Sequence, residues 1–318
     1  MSAWTRHIQG ASSLVQLRGK QQLRHRLGHE LFIQLRLQVV SILKNPSDVA
    51  YILKLINCLQ RHIPVPKIFL EWSTDAIQYE SDEEAASTTL FHISAEYNSL
   101  RSGMKCFRDY SRSAEIVSSV LNIDAKLATW AATLPPQYTY NMIAISEPLE
   151  EVFSDHYHVY RNLWIATIWN TYRCIRILAN ELLLEHLIHL SQEQESFPNQ
   201  EEFFFSYDSE IARVKSVMMT LTHEICASVP FYLGYHESHK SPPPTPKAVN
   251  GNLLVLPLYT AASMDAVSNM MRAWAVTRLE KVGESMSIQQ ATVMASVLKR
   301  GKTITVWEAK EGPEPEDW

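Results

Sequence analysis

Glycine and cysteine are scarce in this chain, which has nine Gly and four Cys among 318 residues. So few glycines do not suit a β-architecture with many tight turns, whereas the Leu, Ala, Ile, Gln, Glu and Arg of the periodic stretches favour helices. The cysteines, Cys58, Cys106, Cys174 and Cys226, form no Cys-x-x-Cys pair, which gives a cysteine zinc site little support. Cys174 and Cys226 lie in apolar stretches, and we expect both to be buried thiols.

Long apolar runs are also missing. The segment MSAWTRHIQGASSLVQLRG lacks the apolar core of a signal peptide. No run approaches the roughly 20 apolar residues that cross a bilayer. We therefore expect an intracellular, soluble protein that does not associate with a membrane.

The net charge of −5 and the pI near 6.2 do not favour a chain that coats nucleic acid, because phosphate binding needs a basic face. Basic residues are nevertheless concentrated in roughly the first 65 residues. They could form solvated helix faces attracted to the acidic remainder, or a residual DNA-facing arm. We favour the first interpretation and expect no direct DNA binding. The basic residues are Arg6, Arg18, Lys20, Arg24, Arg26 and Arg36.

Helical periodicity recurs along the chain, and no coherent strand alternation accompanies it. We predict an all-α protein, a multi-helix bundle with a buried central helix, formed as a single domain by residues 1–318. A Pro-rich loop is expected at 235–252 and a flexible acidic tail at 309–318. Gly283 and Gly301 are predicted helix stops. The helices are predicted at 29–44, 48–63, 88–110, 111–133, about 153–191 and 205–228, with two or three more between 253 and 300.

The segment WIATIWNTYRCIRIL (164–178) belongs to the most unusual of these helices. On a helical wheel it is apolar almost all round, which is typical of a helix at the centre of a bundle. Trp169, Arg173, Arg176 and Asn180 form a narrow polar and aromatic stripe between its apolar faces. Trp169 and Arg173 are four residues apart and can stack as a cation–π pair.

A buried, unpaired guanidinium would cost several kcal/mol, so Arg173 and Arg176 must meet anions or carbonyl groups. One interpretation is structural: they tie the helix to carboxylates and helix ends of its neighbours. The other is functional: they meet an anionic or carbonyl-bearing ligand in a pocket between helices. The candidate ligand-binding residues are Trp164, Trp169, Tyr172, Arg173 and Arg176.

Common catalytic motifs do not occur; there is no G-x-S-x-G, G-x-G-x-x-G, Walker A or H-E-x-x-H sequence. His156 and His158, beside Asp155, would need a distant third ligand to hold a metal, and a polar helix entrance is the favoured interpretation. Glu224, beside His223, is a weak candidate for a general base. We expect neither a metal nor a cofactor, and leave catalytic residues unassigned.

Eight segments together resemble the fungal-specific transcription factor domain, the regulatory region of zinc-cluster regulators. They occur in the family's order and cover most of the chain. The resemblance implies an all-helical regulatory bundle that senses signals and contacts the transcription machinery. The segments are HIQGASSLVQLRG (7–19), LFIQLRLQVV (31–40), NCLQRHIPVP (57–66), DAKLATWAATLPP (124–136), LWIATIWNTYRCIRIL (163–178), ICASVPFYLG (225–234), LLVLPLYTAAS (253–263) and MSIQQATVMASVL (286–298).

The chain departs from the family's pattern in three places. The family's DNA-binding zinc cluster uses six cysteines, which the four scattered cysteines here cannot supply. Residues 41–55 look like an insertion between two family blocks, either genuine or an error in the gene model. Val255 stands where the family often has Trp.

Two functions follow from the resemblance. The first is a regulatory or ligand-sensing module without its own DNA-binding head, tied to fungal secondary metabolism and located in the nucleus. It would bind a small metabolite or a protein partner, or form a homodimer. The second is a helical domain repurposed as a cofactor-free cyclase or pericyclase of the Diels–Alderase kind, located in the cytoplasm. It would need an apolar pocket and one or two hydrogen-bond donors that hold an apolar intermediate.

Overall fold

A computed structural model of the chain describes residues 13–41, 67–104, 110–196, 206–236, 248–265 and 267–300, together with Gly10 and Val65. Within these ranges the fold is a multi-helix bundle with one small sheet, which confirms the all-α prediction. Short helical segments at 13–18 and Lys20–Arg24 precede the longer helices. The longer helices are α1 (Arg26–Ser41), α2 (Lys67–Ala76), α3 (Asp82–Ser102), α4 (Ser113–Ala132), α5 (Leu163–Ser196), α6 (Tyr207–Tyr232), α7 (Ala248–Ser263), α8 (Asn269–Met286) and α9 (Gln289–Lys299).

Helix α5 is the central helix of the bundle. It has 34 residues, and Ile168 and Ile177, on opposite faces, are both fully buried. Helices α3, α4, α6 and α7 all pack against it. Asn162 caps its start, because the side-chain Oδ1 accepts a hydrogen bond from the Ile165 N–H at 2.9 Å. The prediction of a buried central helix is confirmed.

Helix α3 begins at Asp82, earlier than the predicted residue 88. Its start is a capping box, in which Ser81 and Glu84 each satisfy a backbone N–H of the other. Trp130 on α4 donates its indole N–H to the carbonyl oxygen of Ala86 at 2.7 Å, and this bond fixes α4 against α3.

The predicted long helix from about residue 153 is wrong at its beginning, because His156–Tyr160 form strand β2. This strand pairs antiparallel with β1 (Tyr140–Ala144), with Tyr140 opposite Tyr160. Aromatic and β-branched side chains of the segment HYHVY favour a strand that is buried against α6. The expected helix entrance at Asp155 is therefore a strand start, and the helix begins at Leu163.

Two predicted helix ends in the C-terminal half are also wrong. Pro230 lies inside the last turn of α6, which continues to Tyr232. Gly283 lies inside α8, which ends at Met286 with Ser287 in the left-handed conformation (φ 55°). At Gly283 an added Cβ would lie 2.2 Å from Thr292 Oγ1 and 3.0 Å from the Thr292 backbone nitrogen. This glycine thus permits the close approach of α9.

The remaining sequence-based expectations concern the cysteines, membrane-spanning helices and the loop and tail segments. Cys174 and Cys226 are buried free thiols, as predicted. No helix among the described residues is long and apolar enough to cross a membrane. The predicted loop 235–252 is wrong at its end, because α7 begins at Ala248. The predicted helix 48–63, residues 42–55 of the predicted insertion, the tail 309–318 and residues 237–247 of the loop lie outside the described residues.

We expect Gly283→Ala to destabilise the protein by about 1–2 kcal/mol, because overlap with Thr292 outweighs the helix propensity gained by alanine. Gly103→Ala is the matched control, since an added Cβ there has no neighbour closer than 3.5 Å. Urea unfolding of both variants measures the difference. Equal or greater stability of Gly283→Ala relative to Gly103→Ala would contradict the close-packing explanation.

Candidate functional site

Arg173 lies on α5 at the centre of the bundle, and its side chain is 0% exposed. Nε donates to Glu224 Oε2 on α6 at 3.0 Å. Nη1 donates to Tyr160 Oη on β2 at 2.7 Å and to Asn170 Oδ1 at 2.9 Å. One guanidinium therefore links three elements, α5, α6 and β2.

Aromatic rings surround the same guanidinium. Its Cζ lies 5.4 Å from the centroid of the Trp169 ring, 5.5 Å from that of Tyr140 and 5.9 Å from that of Tyr160. The predicted cation–π pair of Trp169 and Arg173 is present. Burial by itself lowers the pKa of Arg173. Interactions with Tyr160, Glu224 and Tyr140 raise this pKa by more than burial lowers it, so the net shift is upward. The side chain is thus held as a cation.

Arg176, one turn further along α5, has its own carboxylate. Nε donates to Asp124 Oδ1 on α4 at 2.7 Å, and Nη1 donates to Tyr172 Oη at 2.8 Å. Asn180 Nδ2 donates to the same Asp124 oxygen at 2.7 Å. Burial raises the pKa of Asp124, but hydrogen bonds from Arg176 and Asn180 lower it more, so the carboxylate stays charged. Arg176 thus joins α5 to α4.

Four of the five candidate ligand-binding residues belong to these two networks. Trp169 also donates its indole N–H to the Tyr138 carbonyl oxygen at 2.8 Å. Because both arginines meet carboxylates of neighbouring helices, the structural interpretation accounts for most of their hydrogen bonds. One donor, Arg173 Nη2, is buried and makes no hydrogen bond of good geometry among the described residues, although the Tyr140 phenol also interacts with this guanidinium.

Trp164, the fifth candidate, lies apart from these networks, in the wall of a cleft of about 680 Å³. The cleft lies between α1, the start of α3 and the start of α5. Its other lining residues are Leu23, Arg24, Arg26, His29, Glu30, Ile33, Tyr79, Ser81, Glu84 and Asn162. Sequence periodicity places Trp164 on α5, but it does not show that the start of α5 borders an open cleft.

The His156 and His158 pair has no metal-like arrangement in the described residues. His156 Nδ1 lies 2.8 Å from Asp155 Oδ1, whereas His158 Nδ1 is 3.1 Å from Tyr160 Oη. The ring of His158 also packs on Tyr140, with centroids 4.3 Å apart. Burial, followed by the charges of Arg173 and His156, lowers the pKa of His158 from 6.5 to about 3. His158 is therefore a neutral part of the Arg173 environment.

Glu224, the candidate general base, is bound to Arg173. A different carboxyl group has the shifted pKa that a base requires: burial, and then the charges of Asp265 and Glu185, raise the pKa of Glu181 to about 7. Sequence reasoning missed this residue because Glu181 reads as an ordinary polar position of an amphipathic helix. Only the packing of neighbouring elements against α5 shields this half-buried side chain from water.

The link between Arg173 and Glu224 can be tested by a double-mutant cycle. Arg173→Met should cost about 3 kcal/mol, because Tyr160, Asn170 and Glu224 lose their donor. Glu224→Gln should also destabilise, since it leaves a buried guanidinium without a counter-charge. The double variant should be more stable than the sum of the single losses by about 1–3 kcal/mol. Additive losses in urea unfolding would contradict the pairing.

The buried neutral state of His158 predicts a pH dependence of stability. The unfolded chain protonates this residue near pH 6.5, whereas the folded protein does so only near pH 3. Acidification between these values therefore favours the unfolded state, by up to about 1.4 kcal/mol per pH unit. His158→Gln should lose this contribution to the slope. Unfolding curves from pH 7 to pH 4 that give both proteins the same slope would refute the assignment.

No family model matches this chain, and no curated protein or solved structure matches it. The resemblance to the fungal-specific transcription factor domain thus rests on the sequence segments alone.

Proposed function

We propose that this chain is a transcription-factor-like regulatory module that senses a small molecule. Its role would be in fungal secondary metabolism, as the resemblance to the fungal regulatory domain implies. The proposal draws on that resemblance and on the use of the buried arginines. Its partners would be a small metabolite and a protein of the transcription machinery, or a second copy of the chain.

The observation that carries the proposal is the carboxylate pairing of both buried arginines on α5. Arg173 is bound to Glu224 of α6, and Arg176 is bound to Asp124 of α4. Paired in this way, both guanidinium groups hold neighbouring helices against α5, as expected of a scaffold. The same helix begins at a cleft, so a ligand there would contact the element to which α4 and α6 are fixed.

The enzymatic alternative, a cofactor-free cyclase or pericyclase, draws on one specific observation. Arg173 Nη2 makes no hydrogen bond of good geometry among the described residues, and Tyr140, Tyr160 and Trp169 surround the guanidinium. A donor in such aromatic surroundings would polarise a substrate carbonyl. This role requires an apolar intermediate to reach the guanidinium, which is 0% exposed.

Deletion of the gene distinguishes these two functions. We expect transcripts of neighbouring biosynthetic genes to fall at least several-fold, because a regulator acts on their expression. Re-introducing the unaltered gene should restore them. Unchanged transcripts, together with the accumulation of an uncyclised intermediate, would contradict the regulatory proposal and favour the enzyme.

The purified protein should not shift duplex DNA at physiological salt, because its net charge is −5 and a regulator of this kind would act through a partner. An electrophoretic mobility shift with a random duplex measures this, with a basic DNA-binding protein as positive control. Binding at sub-micromolar protein that weakens as salt increases would instead support a DNA-facing basic arm.

A further inference from the structure

The cleft beside Trp164 contains a buried histidine that lacks hydrogen bonds. The side chain of His29 is 6% exposed, and neither ring nitrogen has a hydrogen-bond partner among the described residues. The nearest carboxylate oxygen, Glu84 Oε1, is 3.8 Å from Nε2, which is too far for a hydrogen bond. Buried polar groups are seldom left unpaired, so a ligand in the cleft would supply the missing bond.

The charges that line the cleft leave one arginine without a counter-charge. Besides His29, the charged lining residues are two arginines, Arg24 and Arg26, and two glutamates, Glu30 and Glu84. Of the charged lining residues, Arg26 is paired with Glu30 at 2.8 Å, and Glu84 is bound to Ser81 in the capping box. Arg24 has no ion pair among the described residues, so its charge is available to an anion.

The apolar part of the cleft is formed by different side chains. Leu23 and Ile33 are almost fully buried and contribute to its lining. Trp164 is half-buried and forms part of the cleft wall. A flat indole beside aliphatic groups favours a planar apolar ligand. The volume of about 680 Å³ lies within the range of small-molecule sites.

We propose that this cleft binds a small aromatic carboxylate. Arg24 attracts the carboxylate, the ring packs on Trp164 and Leu23, and His29 forms a hydrogen bond with the bound molecule. The inference deepens the proposed function, and it rests on that function for its biological meaning, because it names the chemical class that the regulatory module would sense.

The test uses 2-naphthoate as a probe and the full-length protein, with binding followed by ligand-observed NMR or by the fluorescence of the probe. We expect saturable binding in the micromolar to low-millimolar range, as befits a ligand of this size. Arg24→Gln should weaken binding about tenfold, the usual effect of losing one charge-assisted hydrogen bond. The neutral analogue 2-naphthalenemethanol should bind about tenfold more weakly than the carboxylate.

Arg300→Gln is the matched control, because it removes an equally exposed arginine that does not line the cleft. Its affinity for 2-naphthoate should equal that of the unaltered protein. Trp164→Leu should weaken binding while circular dichroism and the urea midpoint stay close to those of the unaltered protein, since this side chain is half-buried. Binding that does not saturate, or that Arg24→Gln and Arg300→Gln weaken equally, would overturn the proposal.

The regulatory function and the assignment of the cleft can be refuted independently of each other. Loss of neighbouring transcripts on gene deletion, without saturable binding of 2-naphthoate, would overturn the cleft assignment and leave the regulatory function standing. Saturable, Arg24-dependent binding with unchanged transcripts would support the cleft and overturn the regulatory function.

Discussion

The ion pair between Arg173 and Glu224 is the interaction on which the middle of this fold depends. Removing a guanidinium from water costs several kcal/mol, and the structure offsets this cost with a carboxylate, a phenol, an amide and three aromatic rings. These partners come from α5, α6 and the two strands. Their relative positions are thus constrained by the hydrogen-bond geometry of one side chain. Arg278, also buried, is similarly bound to Glu150 at 2.6 Å, and it fixes α8 to the segment between the strands.

Helix α5 connects the two regions to which we assign roles. Its start borders the cleft at Asn162 and Trp164, and its middle carries the arginines that contact α4 and α6. A ligand at the start of α5 would therefore act on an element that is rigidly fixed to its neighbours. Small displacements of such an element are transmitted because packed interfaces do not deform continuously. Under the proposed function, the surface that contacts the protein partner would lie away from the bound ligand.

The buried ionisable groups around α5 affect stability in opposite directions. His158 stays neutral with a pKa of about 3, so acid favours unfolding. Glu181 has a pKa of about 7 in the folded protein, so the stabilisation it provides is present in acid and is lost as the pH rises through 7. Between pH 4.5 and pH 6.5, the ordinary pKa values of Glu and His, the two contributions oppose and largely offset each other.

Periodicity and the cost of burying charge were enough to predict the helical class, the central helix and the need of its arginines for partners. The contact of Trp169 with Arg173 was also predictable, because the two residues are neighbours on one helix. The identity of those partners, Glu224 and Asp124, follows only from the folded arrangement, since each lies more than 50 positions away in the chain. Strand β2 and the role of Gly283 likewise depend on packing against α6 and α9. The cleft could not be predicted because three distant segments form it, and no local pattern encodes the space between them.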